Sequence, residues 1–158
     1  MAKLVLALAL LSTASALSAK DSLGVYSSWA AFRDPGTPNY AGRCYAIAKP
    51  HRAADAFASV GTWPGEGVRG QVHVRLSREA RSAQLTIGGT RFELVAMGRD
   101  AWAADAGRDA AILAAMRSAE TMRVTGRTAG GGLFSDRYSL EGAATAMDAA
   151  VVGCAGQS

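Results

Sequence analysis

The chain has 158 residues and a formal net charge of +4, from 17 lysines and arginines against 13 aspartates and glutamates. One domain is expected at this length, and a hydrophobic fraction of 49% excludes a disordered or fibrous chain. The positive charge is spread without any run of like residues, which argues against nucleic-acid binding.

The first nineteen residues read as a leader. Lys3 supplies a positive start, Leu4–Leu11 is unbroken and apolar, and Ala14-Ser15-Ala16 is a small-x-small cleavage site, with Leu17-Ser18-Ala19 as a second. That order of charge, apolar run and small residues is the signal-peptide pattern. The apolar run is well short of the ~20 residues needed to cross a bilayer, and no cysteine follows it to carry a lipid. Residues 1–19 are therefore expected to be a signal peptide and 20–158 a single exported domain, periplasmic or secreted, without a membrane span.

In the mature chain, Leu23–Asp34 reads as a first strand, with Val25, Trp29 and Phe32 available for burial and a bulge or bend breaking the alternation. Pro35–Asn39 is a loop by composition. Arg43–Ala48 is the next strand, ended by Pro50, and Phe57–Trp63 another, stopped by Pro64-Gly65. Gly65-Glu66-Gly67-Val68-Arg69-Gly70 matches G-x-G-x-x-G, but a dinucleotide site needs a helix next and a strand pattern follows, so the stretch reads as a turn. Arg69–Ser77 alternates cleanly, Val72, Val74 and Leu76 on one side and Arg69, Gln71, His73 and Arg75 on the other. Ala83–Ile87 is expected beside it, with Leu85 and Ile87 inward. Gly88-Gly89 suits a two-residue hairpin turn, Thr90–Met97 returns with Phe92 and Leu94 inward, and a short strand is expected around Trp102.

The period then changes. Gly107–Ala119 carries a helical stripe of Ala111, Ile112, Ala115 and Met116, with Asp109 near its start, where a carboxylate suits the dipole. Glu120–Thr128 and Leu133–Glu141 read as strands around Gly130-Gly131-Gly132. Ala143–Cys154 is a second helix with Ala146, Met147, Ala150 and Val151 as its apolar face, and Gly153 is expected to loosen its end. The fold expected is mainly β, an antiparallel sandwich or half-open barrel with two short helices, one of them C-terminal.

Only two cysteines are present, Cys44 and Cys154. In an exported chain they are expected to pair, stapling an early strand to the last helix. Three stretches also carry a likeness: the Gly-x-x-x-x-Trp opening in Leu23–Phe32, R-C-Y-A-I-A over Arg43–Ala48, and Y-S-L-E-G-A-A-T-A-M-D-A-A-V-V-G-C over Tyr138–Cys154. With the leader and the length, these resemble the invasion-associated locus B family of exported alphaproteobacterial proteins. The family commonly places a cysteine soon after its first tryptophan, whereas Trp29 is followed by Ala30, Ala31, Phe32 and Arg33. The resemblance implies a periplasmic or envelope β-rich domain linked to host-cell interaction, and it carries no catalytic residues to this chain.

Other constellations are sparse. His51 and His73 with two distant cysteines lack zinc spacing, and Asp100, Asp105 and Asp109 are not spaced as a calcium loop; the three aspartates read as solvent-facing or capping. His73 with Ser77 or Glu79 lacks the strand-turn-helix elbow that would present a nucleophile. Trp29, Trp63 and Trp102 read first as core residues and second as a ligand platform. Arg75, Arg91, Arg123, Arg127 and Arg137 read first as solvated charge and second as a binding surface.

No enzyme, cofactor or metal is expected. The role expected is a binding or structural module of the periplasm or envelope. The alternatives are an inhibitor or ligand-binding β-protein acting on an exported enzyme, and an uncharacterised hydrolase. The candidate binding face is Arg69, Gln71, His73, Arg75, Gln84, Thr86, Arg91 and Glu93, and its complement is an unknown acidic protein or anionic envelope component.

Overall fold

The computed structural model describes residues 20–37 and 42–155. The expected leader and part of the Pro35–Asn39 loop lie outside the described residues. In chain order the elements are β1 (Asp21–Tyr26), β2 (Trp29–Asp34), β3 (Arg43–Ala48), β4 (Phe57–Trp63), β5 (Val68–Arg75), β6 (Ser82–Ile87), β7 (Thr90–Met97), β8 (Asp100–Trp102), α1 (Ala106–Ser118), β9 (Thr121–Arg127), β10 (Leu133–Ser139) and α2 (Ala143–Cys154). The strands form one antiparallel sheet in the order β1-β2-β3-β4-β5-β8-β7-β6-β9-β10, curled into a half-barrel. The half-open barrel, with its two helices, is thus the fold.

Two local expectations are corrected. Leu23–Asp34 is not one strand. It turns back at Ser27-Ser28 into the β1–β2 hairpin, alternation being broken by that turn and by a bulge between Ser22 and Gly24, and Val25 ends up 73% exposed. Ala83–Ile87 is not the neighbour of β5. No hairpin turn joins β5 to β6. Instead Leu76 N–H donates to Arg99 O (2.7 Å), Ala80 N–H to Gly98 O (2.8 Å) and Arg81 N–H to Arg127 O (2.8 Å). These bonds carry the chain past the end of β8 and β7, so β5 pairs with β4 and β8 while β6 pairs with β7 and β9. The G-x-G-x-x-G stretch is a 3₁₀ turn at Pro64–Glu66 leading into β5.

The core follows from strand parity. Val72, Val74 and Leu76 of the β5 region, Leu85 and Ile87 of β6, Phe92 and Leu94 of β7, Met122 and Val124 of β9 and Tyr138 of β10 all point inward. Helix α2 packs across β1–β4 on the same side, through Ala143, Ala146, Met147, Ala150 and Cys154. Its small side chains let the helix axis approach the sheet closely. Val151, read as part of its apolar face, is 56% exposed. The helix continues through Gly153, so Cys154 meets Cys44 from its last turn, with Cα atoms 5.8 Å apart. At the other end Gly142 has φ +84°, and a Cβ there would run into the Tyr26 carbonyl oxygen. Only glycine fits both demands.

Helix α1 rests on β5 through Ile112 and Met116, while Ala111 faces solvent. Asp105 caps it by accepting from Arg108 N–H at 2.8 Å, leaving Asp109 free of that duty. Asp109 is buried and accepts Val72 N–H at 2.8 Å. The physical reason is the shortness of β8. Its pairing with β5 stops at His73↔Trp102, so Val72, paired with Val60 on β4, has no strand partner on the β8 side and Asp109 supplies the acceptor there. Burial pushes the Asp109 carboxyl above the usual carboxylate range, against the pull of the Val72 N–H. Finally, the two ends of the curl are tied without a strand ladder. Trp29 Nε1–H donates to Ser139 O (2.9 Å), Ser28 N–H to Glu141 O (3.2 Å) and His51 N–H to Arg137 O (3.0 Å).

Candidate binding surface

Every residue of the expected face lies on the outward side of the sheet, but the pairing divides them. Arg69, Gln71, His73 and Arg75 are on β5, and Gln84, Thr86, Arg91 and Glu93 are on β6 and β7. Strand β8 and the Val95–Met97 end of β7 stand between the two sets.

On β5 the charge of Arg75 is answered in place. Asp100 receives both His73 Nε2 on one oxygen (2.9 Å) and Arg75 Nη1 on the other (2.6 Å). His73 stacks on Trp102 with centroids 5.1 Å apart and meets Phe57 edge-on at 5.3 Å. The Ser59 hydroxyl, opposite His73 on β4, donates to the His73 carbonyl at 3.4 Å. Ser59, His73 and Asp100 thus sit on adjacent strands without the hydroxyl-to-imidazole contact a nucleophilic triad requires.

The second set belongs to a different surface. In register, Arg91 of β7 faces Thr86 of β6, Thr86 faces Arg123 of β9, and Arg123 faces Arg137 of β10. Adjacent strands are about 4.8 Å apart, so the row places guanidinium stems about 10 Å and about 5 Å apart along one line. Among the described residues no ion pair or hydrogen bond engages the side chain of Arg91, Arg123 or Arg137. Next to it runs Glu93–Gln84–Thr125–Ser135, where Gln84 Nε2–H donates to Glu93 Oε1. Beyond Arg137 a cleft of about 1070 Å³ opens around the β10 edge, bringing Arg52 and Arg78 to the same rim as Arg123 and Arg137. Asp136 inside it is buried and accepts Ser77 N–H at 2.9 Å.

Comparison with protein families, curated proteins and solved structures finds no match.

Two groups escaped the reading of the candidate face. From sequence alone Arg123 and Arg137 are scattered outward positions. Their strand parity was legible, but the β6–β9 pairing that lines them up with Thr86 and Arg91 was not. The three tryptophans divide between core and surface. Trp29 is buried, yet Trp63 and Trp102 lie on the outward face, because Trp102 is the register partner of outward His73 and Trp63 folds over Gly61. Tyr45 joins them. Its hydroxyl accepts from Lys20 Nζ at 3.1 Å, which raises the Lys20 ammonium above its usual range.

Proposed function

We propose that the protein is an exported binding module that holds an anionic component of the cell envelope against the row of Arg91, Arg123 and Arg137. The observation that carries this reading is the register of three arginines without carboxylate partners. Like charges directly opposite one another destabilise a sheet, so the Arg123–Arg137 pair works against the fold and calls for a compensating anion. Arginine also suits the task, because its planar fork engages carboxylate, sulfate or phosphate oxygens two at a time.

Export is supported by the leader pattern of residues 1–19 and by the disulfide, which persists in oxidising compartments. The resemblance to the invasion-associated locus B family supports the same placement, a periplasmic or envelope domain. A link to host-cell interaction rests on that resemblance alone.

The test is salt elution of the mature domain from a sulfated-polysaccharide matrix. The double variant Arg123→Thr/Arg137→Thr is expected to elute at much lower salt than Arg69→Thr/Arg108→Thr, which removes the same charge elsewhere. Equal elution of the two would mean that net charge alone, not the row, retains the protein.

A further inference from the structure

The other half of the outward face carries a second, separate feature. On β4 the small residues Ser59 and Gly61 leave a hollow of about 310 Å³, and the rings of Tyr45, Phe57, Trp63 and His73 stand around it. Trp63 lies across Gly61 so closely that a Cβ at that position would collide with its indole. Lys20, with its side chain 60% exposed, stands at the rim beside Arg43, and the two cations share one carboxylate, Asp34, at 3.9 and 2.7 Å.

We infer that this hollow is a stacking site for an acidic sugar residue, a pyranose ring bearing a carboxylate. The inference goes beyond the arginine row and does not depend on it. Three other occupants fit less well. An extended peptide would have no ladder to join, because β4 is already hydrogen-bonded to β3 on one side and β5 on the other. A cationic ligand, the usual guest of an aromatic cage, would meet Lys20 and Arg43, two cations against the single carboxylate of Asp34. A second copy docked about a two-fold axis through the hollow would set each Lys20 against the same positive rim. A sugar ring answers each feature. Its C–H face is weakly positive and complements the negative faces of the rings. Its hydroxyls meet the polar edges of Ser59 and His73, and its carboxylate meets Lys20. The fit is one of charge and shape together.

Calorimetric titration with oligogalacturonate, set against a neutral galactose oligomer, tests the site. It is run on the wild-type domain and on the Arg123→Thr/Arg137→Thr variant, so that binding at the row is separated from binding at the hollow. The acidic oligomer is expected to bind both proteins. Trp63→Ala should weaken it roughly tenfold, and Lys20→Gln should weaken the acidic oligomer while leaving the neutral one unchanged. Circular dichroism and a melting curve establish that both variants fold. The proposal is overturned if the acidic oligomer gives no heat at millimolar concentration, or if only the arginine variant loses it. It is equally overturned if folded Trp63→Ala titrates like wild type, or if sedimentation shows a dimer that Trp63→Ala dissolves.

Discussion

Arg123 and Arg137 stand directly opposite each other on β9 and β10, and among the described residues neither guanidinium has a carboxylate partner. Four other arginines of this chain are paired with carboxylates. Arg33 meets Asp21 at 2.6 Å, Arg43 meets Asp34 at 2.7 Å, Arg75 meets Asp100 at 2.6 Å and Arg117 meets Asp148 at 2.6 Å. What sets Arg123 and Arg137 apart is that they are direct register partners, two cations opposed in the ladder on a surface where hydroxyl-bearing Thr86 and Thr125 already fit. It is the feature that the functional reading explains and that the fold by itself does not.

Asp109 separates two roles of a buried carboxylate, hydrogen-bond acceptor and charge. Asp109→Asn keeps an acceptor for Val72 N–H and removes the charge, so stability at neutral pH should stay within about 1 kcal/mol of wild type or exceed it. Asp109→Ala leaves the N–H without a partner and should cost about 1–3 kcal/mol. A carboxyl whose folded-state pKa is raised holds its proton more tightly folded than unfolded. Its charge therefore costs stability above that pKa, and the cost is relieved as pH falls through it towards the usual carboxylate range. Wild type should accordingly gain on Asp109→Asn as the pH is lowered. Asp148, held low by Arg117, loses its contribution over the acid range in both proteins and cancels from the comparison. Denaturant midpoints of the three proteins between neutral and acid pH check this. An Asn variant as unstable as the Ala variant at neutral pH would show that the charge itself is needed.

Gly142 holds the entry to α2 against the first hairpin. Any side chain there faces both a positive φ and the Tyr26 carbonyl. Gly142→Ala should lower stability by about 2–4 kcal/mol, more than the ~1 kcal/mol of a positive-φ penalty alone. A thermal melt of the variant measures it, and a loss under 1 kcal/mol would mean that the hairpin and helix move apart at little cost.

The Cys44–Cys154 bridge joins residues 110 apart in the chain. A loop of that size gives about 4–5 kcal/mol in the chain-entropy model, and measured values run from about 2 to 5. The Cys44→Ala/Cys154→Ala variant should unfold at correspondingly lower denaturant. The native protein should show no alkylatable thiol until it is reduced. Equal midpoints for the oxidised and cysteine-free proteins would deny the staple any stabilising part.

Export makes a prediction about covalent structure. Mass measurement of the protein recovered from outside the cytoplasm should find a chain beginning at Leu17 or Lys20. A chain retaining Met1 there would defeat the leader reading.

Local pattern carried much of this fold. Alternation over Arg69–Ser77 placed Val72, Val74 and Leu76 inward, Gly88-Gly89 marked the β6–β7 turn, and the change of period marked α1 and α2 to within a residue. What local pattern does not contain is which strand lies beside which. The β5–β8 and β6–β9 pairings are set by the crossing at Ser77–Arg81, a tertiary choice written in backbone hydrogen bonds rather than turn residues. The candidate face suffered from that gap directly. Its eight residues share a side of the sheet but not a patch, and Arg123 and Arg137 are visible as neighbours of Arg91 only after β6 and β9 are joined. The aromatic hollow was hidden for another reason. Size suggested burial for Trp63 and Trp102, but their positions in the ladder put them outside, and parity prevails over size when the inner places are already filled by Val60 and Ala101.

The central claim, that the arginine row exists for a ligand, is tested most directly by measuring binding and stability together in Arg123→Thr. With a sulfated oligosaccharide as probe, the account predicts binding weakened about tenfold, with a salt dependence shallower than wild type. It predicts stability unchanged or raised by a few tenths of a kcal/mol, since a like-charge pair has been removed. Binding equal to wild type in the folded variant, or a clear loss of stability, would contradict it.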